Sequence, residues 1–413
     1  MAGHVRQRPG HLEGRGRDLK KPLRIAIVGA GVGGLAHAIL LSRLGHDVSV
    51  IERFAEPRPL GSGLMIQPPG LAALDRLGLR APLDALGHRI TCLHGMTAKG
   101  RTIFDLRYTD LDPALYAVGV HRAALHRVLW DAFETSSATL RLGHEISSPR
   151  DPVLAGADLI IDASGARSAL RPFVSVKHTR AFAYGAVWAS VPDIGLSPET
   201  LSQRYVAARI MLGYLPVGLR APDDQPTAAL FWSLRAEQFP LWHAGFDAWR
   251  RQALALWPEL GPVLHSLDGP DAFTHATYFH FIDSQPWRGN LLLTGDAAHT
   301  TSPQLGQGAN QALIDAVVLA DALTASDDLP QAFHLYAGAR RDHVRFYQYA
   351  SLLLTSFFQS DSRILPALRD AFFHPMKRVP YLHREMIRTL AGLKTGLVSN
   401  GTPDKIVNRP FRS

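Results

Sequence analysis

A glycine-rich turn set between an apolar run and a helix-like stretch constrains this chain more than any other feature. Leu23 to Val28 is apolar apart from Arg24, and Gly29-Ala30-Gly31-Val32-Gly33-Gly34 follows, leading into apolar residues at helical spacing from Leu35 to Leu44. The pattern predicts a strand, a tight turn and a helix. A second short strand, Asp47 to Ile51, ends at Glu52, completing a strand–helix–strand unit whose crossover in a parallel sheet is right-handed. In Gly29-x-Gly31-x-x-Gly34 the glycines let the backbone turn tightly and approach a pyrophosphate, whose charge then sits on the helix N-terminus. Glu52 lies about 20 residues further on, where a carboxylate accepts hydrogen bonds from a ribose. A lone GxGxxG is a weak signal. Strand, turn, helix, strand and acid in this order point to a dinucleotide site built from Gly29, Gly31, Val32, Gly33, Gly34, Glu52 and Arg53.

The 413 residues exceed one small core and suit an α/β body of two intimately packed domains. With 46% hydrophobic and 19% charged residues, the composition is that of an ordinary globular protein. The formal charge is +8 and the sequence pI about 9.7, yet the basic residues are scattered and part of the excess lies in the first 21 residues. No basic stripe interleaved with aromatics occurs, so nucleic acid is not the expected partner. An anionic cofactor or substrate fits the excess better. The single cysteine, Cys92, allows no intramolecular disulfide, and neither it nor the histidines show zinc-ligand spacing, so no metal site is expected. A reducing, cytoplasmic setting is the expectation. Residues 1–22 lack the apolar core of a secretory signal and read as a disordered leader. No apolar run is long enough to span a bilayer.

Two further apolar runs, Ala157 to Ile161 and Asn290 to Leu293, each end in a Gly/Asp-containing turn and are expected as further strands of the same sheet. Between them, residues 177–286 change character: Phe, Tyr and Trp interleave with Pro and Gly, the composition of an antiparallel sheet that walls a substrate cavity. From Ser302 the pattern becomes helical, with one helix from about Asn310 to Leu323 and amphipathic stretches to the end. The expected fold is α/β, with a Rossmann-like dinucleotide domain on a parallel sheet, an antiparallel substrate domain and C-terminal helices. Its expected parts are 23–176 and 287–330 for the dinucleotide, 177–286 for the substrate and 331–413 for the helical region.

The segment Leu291 to Ala316, LLLTGDAAHTTSPQLGQGANQALIDA, carries the chemistry. A strand ends at Gly295-Asp296, where a carboxylate can bind a second ribose hydroxyl. A glycine-rich helix start then aims backbone N–H groups at whatever lies above it. Such dipoles suit the negative charge that develops on the pyrimidine end of a reduced isoalloxazine.

This segment resembles the GD motif of the class A FAD-dependent flavoprotein monooxygenases, the para-hydroxybenzoate and salicylate hydroxylase group. The resemblance extends in order across most of the chain. It takes in the GxGxxG turn with Glu52-Arg53, GSGLMIQPPGLAALDRLGL like the flavin-proximal loop and helix, His121 to Leu125 like an RxxL segment, the GD segment, and the helical tail. It implies non-covalent FAD, reduction by NADPH or NADH, addition of O₂ to give a flavin hydroperoxide, and oxygen transfer to a small aromatic or apolar substrate by a monomer or homodimer. By the same resemblance Glu52 binds the adenosine ribose, Arg122 the cofactor's phosphate region and Asp296 the ribityl chain. Pro303 lies beside the active face of the flavin, with Gly306, Gly308, Ala309 and Asn310 near its pyrimidine edge.

Two places depart from the family. Where relatives carry a variant of GADGxxSxxR, this chain reads Asp162-Ala163-Ser164-Gly165-Ala166-Arg167-Ser168-Ala169-Leu170-Arg171, with Ser164 in place of the aspartate. That opens the nicotinamide contacts, for which Arg167 and Arg171 are candidates. In the substrate region Trp188 is followed by Ala189 rather than arginine. Arg204, Tyr205, Arg209, Tyr214 and His280 are the candidate polar substrate contacts, and Trp232 and Phe281 the candidate apolar wall. An FAD reductase or cyclase that forms no hydroperoxide is the alternative; a halogenase is disfavoured, since no WxWxIP occurs.

Overall fold

In the computed structural model, which describes Leu19, residues 21–56 and residues 63–408, strand β1 (Arg24–Val28), helix α1 (Val32–Arg43) and strand β2 (Asp47–Ile51) form where the apolar spacing places them. The expected leader falls outside the described residues except for Leu19, Lys21 and Pro22. β1 and β2 pair in parallel, Ile25 beside Val48 and Ile27 beside Val50. The apolar residues of β1 are buried without alternation, as in a sheet covered on both faces.

The first sheet has six strands in the order Trp287–Arg288, Leu291–Leu293, Leu159–Asp162, β1, β2 and Thr139–Arg141. All its pairings are parallel except at the Trp287–Arg288 edge. The carboxyl ends of three adjacent strands therefore put the turns after Val28, Asp162 and Leu293 side by side. In open α/β sheets this end is where ligands bind.

The second sheet has seven strands, ordered Thr274–His280, Arg180–Pro192, Thr227–Arg235, Ile210–Gly218, Thr200–Val206, Cys92–Thr97 and Thr102–Arg107. Its last two strands come from inside the stretch 23–176. They enter through a parallel pairing of Cys92–Thr97 with Thr200–Val206, a long-range contact that local patterning does not reveal. A three-stranded sheet of Gly63–Ile66, Ala117–His121 and His88–Ile90 packs against the strands Ile210–Gly218 and Thr227–Arg235 of the second sheet.

Both faces of the seven-stranded sheet are covered. Leu212, Tyr214, Leu230 and Trp232 point outward and pack with Trp242, Phe246 and Trp249 of the helix Trp242–Leu256. Met211, Leu215, Val217, Ala229 and Phe231 point inward and join the main core shared with the first sheet. At the C-terminus a 30-residue helix, Leu329–Phe358, and two shorter ones, Leu365–Met376 and Pro380–Leu390, close the molecule.

Candidate active site

Three glycines of the first turn are needed for three separate reasons. Gly29 adopts φ +103°, in the left-handed region, and a β-carbon there would stand 2.8 Å from the Ala163 carbonyl oxygen. At Gly34 a β-carbon would fall 1.9 Å from the Gly29 oxygen, so this residue sets the close approach of α1 to β1. Gly31 meets nothing within 4 Å; its missing side chain keeps space open for a ligand. The Glu52 carboxylate fixes the turn by accepting the Ala30 N–H at 2.8 Å and the Phe54 N–H at 3.0 Å. Arg53 is exposed beside it, its guanidinium 4.6 Å from the Phe54 ring centre.

Gly31 caps α1 without a side-chain hydrogen bond, and no acidic residue lies in the first helical turn. The helix Gly308–Thr324 begins at Gln307 in the same uncapped way. The two starts are neighbours, since a β-carbon on Gly33 would come within 3.3 Å of the Ala312 side chain. Two sets of unsatisfied N–H groups and two positive dipole ends thus converge at one place, an arrangement that favours an anion. Val32 and Ala309 lie in these first turns. Pro303 and Gly306 bound the preceding 3-10 turn, where Gly306, at φ +61°, donates its N–H to the Pro303 carbonyl at 2.9 Å.

Arg122 starts the helix Arg122–Glu134, and Asp296 follows the strand Leu291–Leu293. Both are ringed by protein yet keep exposed side chains, so both line an open recess. Burial lowers the pKa of Arg122, with Asp296 and Tyr278 acting against it. Burial raises that of Asp296, opposed by His299, Arg122 and Arg171. Gly308 sits against this carboxylate, its missing β-carbon 3.6 Å from Oδ1. Tyr278 comes from the facing sheet; its hydroxyl accepts from Trp188 Nε1 at 3.2 Å, and burial pushes it up to about 12. A cation and an anion deep in a recess, below two uncapped helix starts, fit a ligand with phosphates at one end and hydroxyls along its length.

A matching family model places the chain. Its description is "FAD binding domain", and it covers residues 23–194 and 250–329, more than half of the sequence. The 3-amino-4-hydroxybenzoate 2-monooxygenase of Streptomyces cremeus is 32% identical over 341 residues, 75% of this chain and 81% of that protein. The chain belongs to the class A FAD-dependent monooxygenases. A Klebsiella pneumoniae FAD-dependent urate hydroxylase is 27% identical over 78% of this chain and 87% of its own. In fold, the chain matches the crystal structure of Klebsiella pneumoniae HpxO with FAD and uric acid at a TM-score of 0.76, 22% identity, over 91% of this chain and 98% of that one. The protein is therefore an FAD-dependent oxidoreductase with NAD(P)H as co-substrate, and Gly31, Arg122, Asp296 and the two helix starts are the groups that would hold its FAD.

Other residues of this monooxygenase's FAD turns act as scaffold. The Ser164 hydroxyl donates to Asp162 Oδ1 at 2.5 Å, as does its N–H at 3.0 Å, and the Ser168 hydroxyl bonds the other oxygen. Ser164, expected at the cofactor, is thus engaged with a buried carboxylate two residues before it. Burial raises the Asp162 pKa, and the two serines and Arg171 pull it back. Arg171 donates to the carbonyls of Ala297, Ala166 and Asp296 at 2.8 to 3.0 Å, tying two FAD turns together. Asn310, expected near the flavin edge, has its side chain engaged by the protein. Oδ1 accepts the Gln67 N–H at 2.8 Å, and Nδ2 donates to Met65 and Gly306 carbonyls at 3.1 and 2.8 Å.

The expected substrate contacts divide between the faces of the large sheet. Arg204 and Tyr214 lie on the outer face, away from the recess, because side chains alternate along a strand. Arg204 stacks 5.0 Å from the Trp257 ring, and Tyr214 donates to Asp193 at 2.7 Å inside the outer core. Trp232, expected as cavity wall, packs edge-on to Trp249 in that same outer core. Tyr205 faces inward but is sealed by Phe358 and Arg369 of the C-terminal helices. Phe281 lies under the Arg171 guanidinium, 4.6 Å away. Arg209 is exposed in the turn after Val206, lining a recess of about 460 Å³ with Ser362 and Arg363. This turn is linked to the Pro303 turn: Ala208 accepts from Ser360 at 3.0 Å, and the adjoining Gln359 accepts from Gln304 at 2.8 Å.

His280 shares the inward face of its strand with Tyr278. Its neighbour Phe281 donates to the Thr300 carbonyl at 3.0 Å, which sets His280 close to the Pro303 turn. Its Nδ1 is buried with no hydrogen-bond partner among the described residues, and burial together with Arg180 lowers its pKa. Sequence reading passed over Tyr278 and Trp188 as site residues. The period-2 step from His280 back to Tyr278 is the signal that would have found the first.

Proposed function

We propose that this monooxygenase hydroxylates a small planar aromatic substrate carrying polar or anionic groups, held between the inward face of the seven-stranded sheet and the Pro303 turn. The supporting observation is the make-up of that face beside the FAD recess. Trp188 and Phe231 lie 4.5 Å apart at ring centres, and Phe231 covers Gly213, where a β-carbon would fall 1.9 Å from the ring. The result is an aromatic wall with two polar groups, Tyr278 and His280. Relatives named for 3-amino-4-hydroxybenzoate and 3-hydroxybenzoate act on molecules of this kind.

When bound, FAD supplies the redox chemistry, taking reducing equivalents from NAD(P)H and, with O₂, placing one oxygen atom on the substrate. The protein's part is binding, orientation and exclusion of water. Arg122 and Asp296 hold opposite charges toward the cofactor. His280, neutral at pH 7 because burial disfavours its charged form, accepts a hydrogen bond from a substrate hydroxyl. Arg209 and Arg363 at the outer recess draw in an anionic substrate. Arg167, exposed and donating to Thr277 at 3.2 Å, is placed to meet the nicotinamide nucleotide's phosphates. No helix among the described residues is long and apolar enough to cross a membrane, and we place the enzyme in the cytoplasm, where NAD(P)H is supplied.

The test supplies FAD-loaded protein with NADH or NADPH and a panel of amino- and hydroxybenzoates, following O₂ uptake and product mass. One hydroxylated product per NAD(P)H and per O₂ is expected for at least one aromatic acid. NAD(P)H oxidation without any oxygenated product would replace this reading with the reductase one. His280→Ala is expected to lower kcat/KM by about tenfold or more through loss of a buried hydrogen bond, whereas Tyr214→Phe, on the far face, leaves it unchanged.

A further inference from the structure

On the outer face of the seven-stranded sheet, remote from the cofactor recess, lies a second recess of about 230 Å³. Its main feature is Arg204, half-buried with its guanidinium 5.0 Å from the Trp257 ring. Trp257 fixes one face of the fork, and among the described residues its N–H groups meet no hydrogen-bond acceptor. The acid nearest in charge is Glu259, which is exposed and makes no ion pair with it.

The Ser197 and Ser202 side of the lining agrees with that single unmet demand. Ser197 donates to the Ser202 hydroxyl oxygen at 2.8 Å, which leaves the Ser202 O–H to point elsewhere. His94 stands opposite Ser202 in the parallel pairing. Asp105, the other acid of the neighbourhood, is already bound to Lys377 at 2.8 Å and Cys92 at 3.3 Å, with Arg107 at 3.6 Å. Glu259, exposed and making no ion pair with Arg204, also lines the recess, while Asp105, outside the lining, is held by Lys377 and Arg107.

We propose that this recess is a binding site for a small oxyanion, a carboxylate or phosphate monoanion gripped by the Arg204 fork and the Ser202 hydroxyl. A planar guanidinium held on an aromatic ring is preorganised for two parallel N–H···O bonds, which is the geometry such anions take. The site is distinct from the catalytic recess and independent of which substrate the enzyme hydroxylates. Its strand, Thr200–Val206, leads directly into the turn at Ala208 and Arg209, which is hydrogen-bonded to the segment holding Gln304. An occupant therefore rests on the same strand that leads into the turn bonded to the Gln304 segment.

The experiment titrates FAD-loaded protein with inorganic phosphate and, separately, with benzoate, by calorimetry and with the flavin absorption spectrum recorded throughout. Binding in the catalytic recess disturbs the flavin spectrum, and binding at Arg204 leaves it unchanged. The expected result is one spectrally silent site per chain for at least one probe, weakened about tenfold or more in Arg204→Gln. Flavin content and melting temperature should stay at the wild-type level. Arg204→Lys, which keeps the charge and loses the fork, is expected to fall between the two and serves if the glutamine variant folds poorly. Preference for phosphate identifies a phosphate ester as the occupant, and preference for benzoate a carboxylic acid. Absence of silent binding by either probe, or unchanged affinity in both variants, would overturn the proposal.

Discussion

The Asp315 carboxylate accepts the backbone N–H of Gly295 at 2.8 Å, so a buried charge on one helix fixes the turn that presents Asp296. The same group bonds His299 at 2.6 Å and Arg340 at 2.6 Å. Burial alone would raise its pKa, but His299 and Arg340 outweigh burial and hold it well below the usual carboxylate range. Asp315→Asn leaves Arg340 as a buried charge without its counter-ion, and a loss of about 3–5 kcal/mol is expected. Because the folded pKa is depressed, this stabilisation is present above the unfolded carboxylate pKa of about 4 and is lost as pH falls below it. Thermal melts from pH 7 to pH 3 should show the gap between wild type and variant closing in acid. A gap independent of pH would exclude the charge as its cause.

Gly31 and Gly34 separate ligand space from packing space. Gly31→Ala meets nothing in the protein, so the melting temperature without FAD should be unchanged while FAD affinity falls. At Gly34 an alanine would collide with the Gly29 carbonyl, and the fold itself should lose stability before affinity can be measured. Equal effects of both substitutions on melting temperature would contradict this division.

For Asp296→Ala the expected loss is the net value of a hydrogen bond to a charged acceptor, about 1.5–3 kcal/mol. That is roughly ten- to a hundredfold in dissociation constant. Fluorescence titration of apoprotein with FAD reads it directly, and acid or heat should release the flavin unmodified. An unchanged constant would remove Asp296 from the cofactor site.

Ser164→Asp, which makes the turn match its relatives, is expected to do harm. The new carboxylate would replace a hydroxyl that donates to Asp162 at 2.5 Å and would set two negative charges together. Asp162 already has a raised pKa from burial. An acid whose folded pKa is raised costs stability as pH climbs from its unfolded to its folded value. The variant's deficit in melting temperature should therefore be larger at pH 8 than at pH 5. A variant as stable as wild type at both pH values, with tighter NAD(P)H binding, would show that the turn tolerates the family's aspartate.

What could be read from the sequence depended on whether the signal was local. The Gly29–Gly34 turn, Glu52 and the Leu291–Ala316 segment each carry spacing and turn chemistry within a few residues, and the strands and helices appear there with ends shifted by one to three residues. Arg204 and Tyr205 show where local reading stops. They are adjacent and point to opposite faces, but in Ile210–Gly218 next to them almost every residue is buried, because the helix Trp242–Leu256 covers the side that would otherwise face water. Alternation of polarity then carries no information about which face lines the cavity. Asn310 is legible only in part: its position at the helix start can be read, whereas its side-chain partners Met65 and Gln67 lie far away along the chain.

The route by which residues 92–107 reach the large sheet has a cost during synthesis. Cys92–Thr97 and Thr102–Arg107 can pair with each other as soon as they leave the ribosome, but the strand that receives them, Thr200–Val206, is translated much later. Until then the hairpin has an unpaired edge, the kind of template that captures wrong partners. Parallel pairing across such a separation is also slow. The vulnerable period of this enzyme is its birth rather than its working life: once Thr200–Val206 has docked, the Cys92–Thr97 edge is paired, and the edge that remains, Thr102–Arg107, lies against the helix Leu365–Met376.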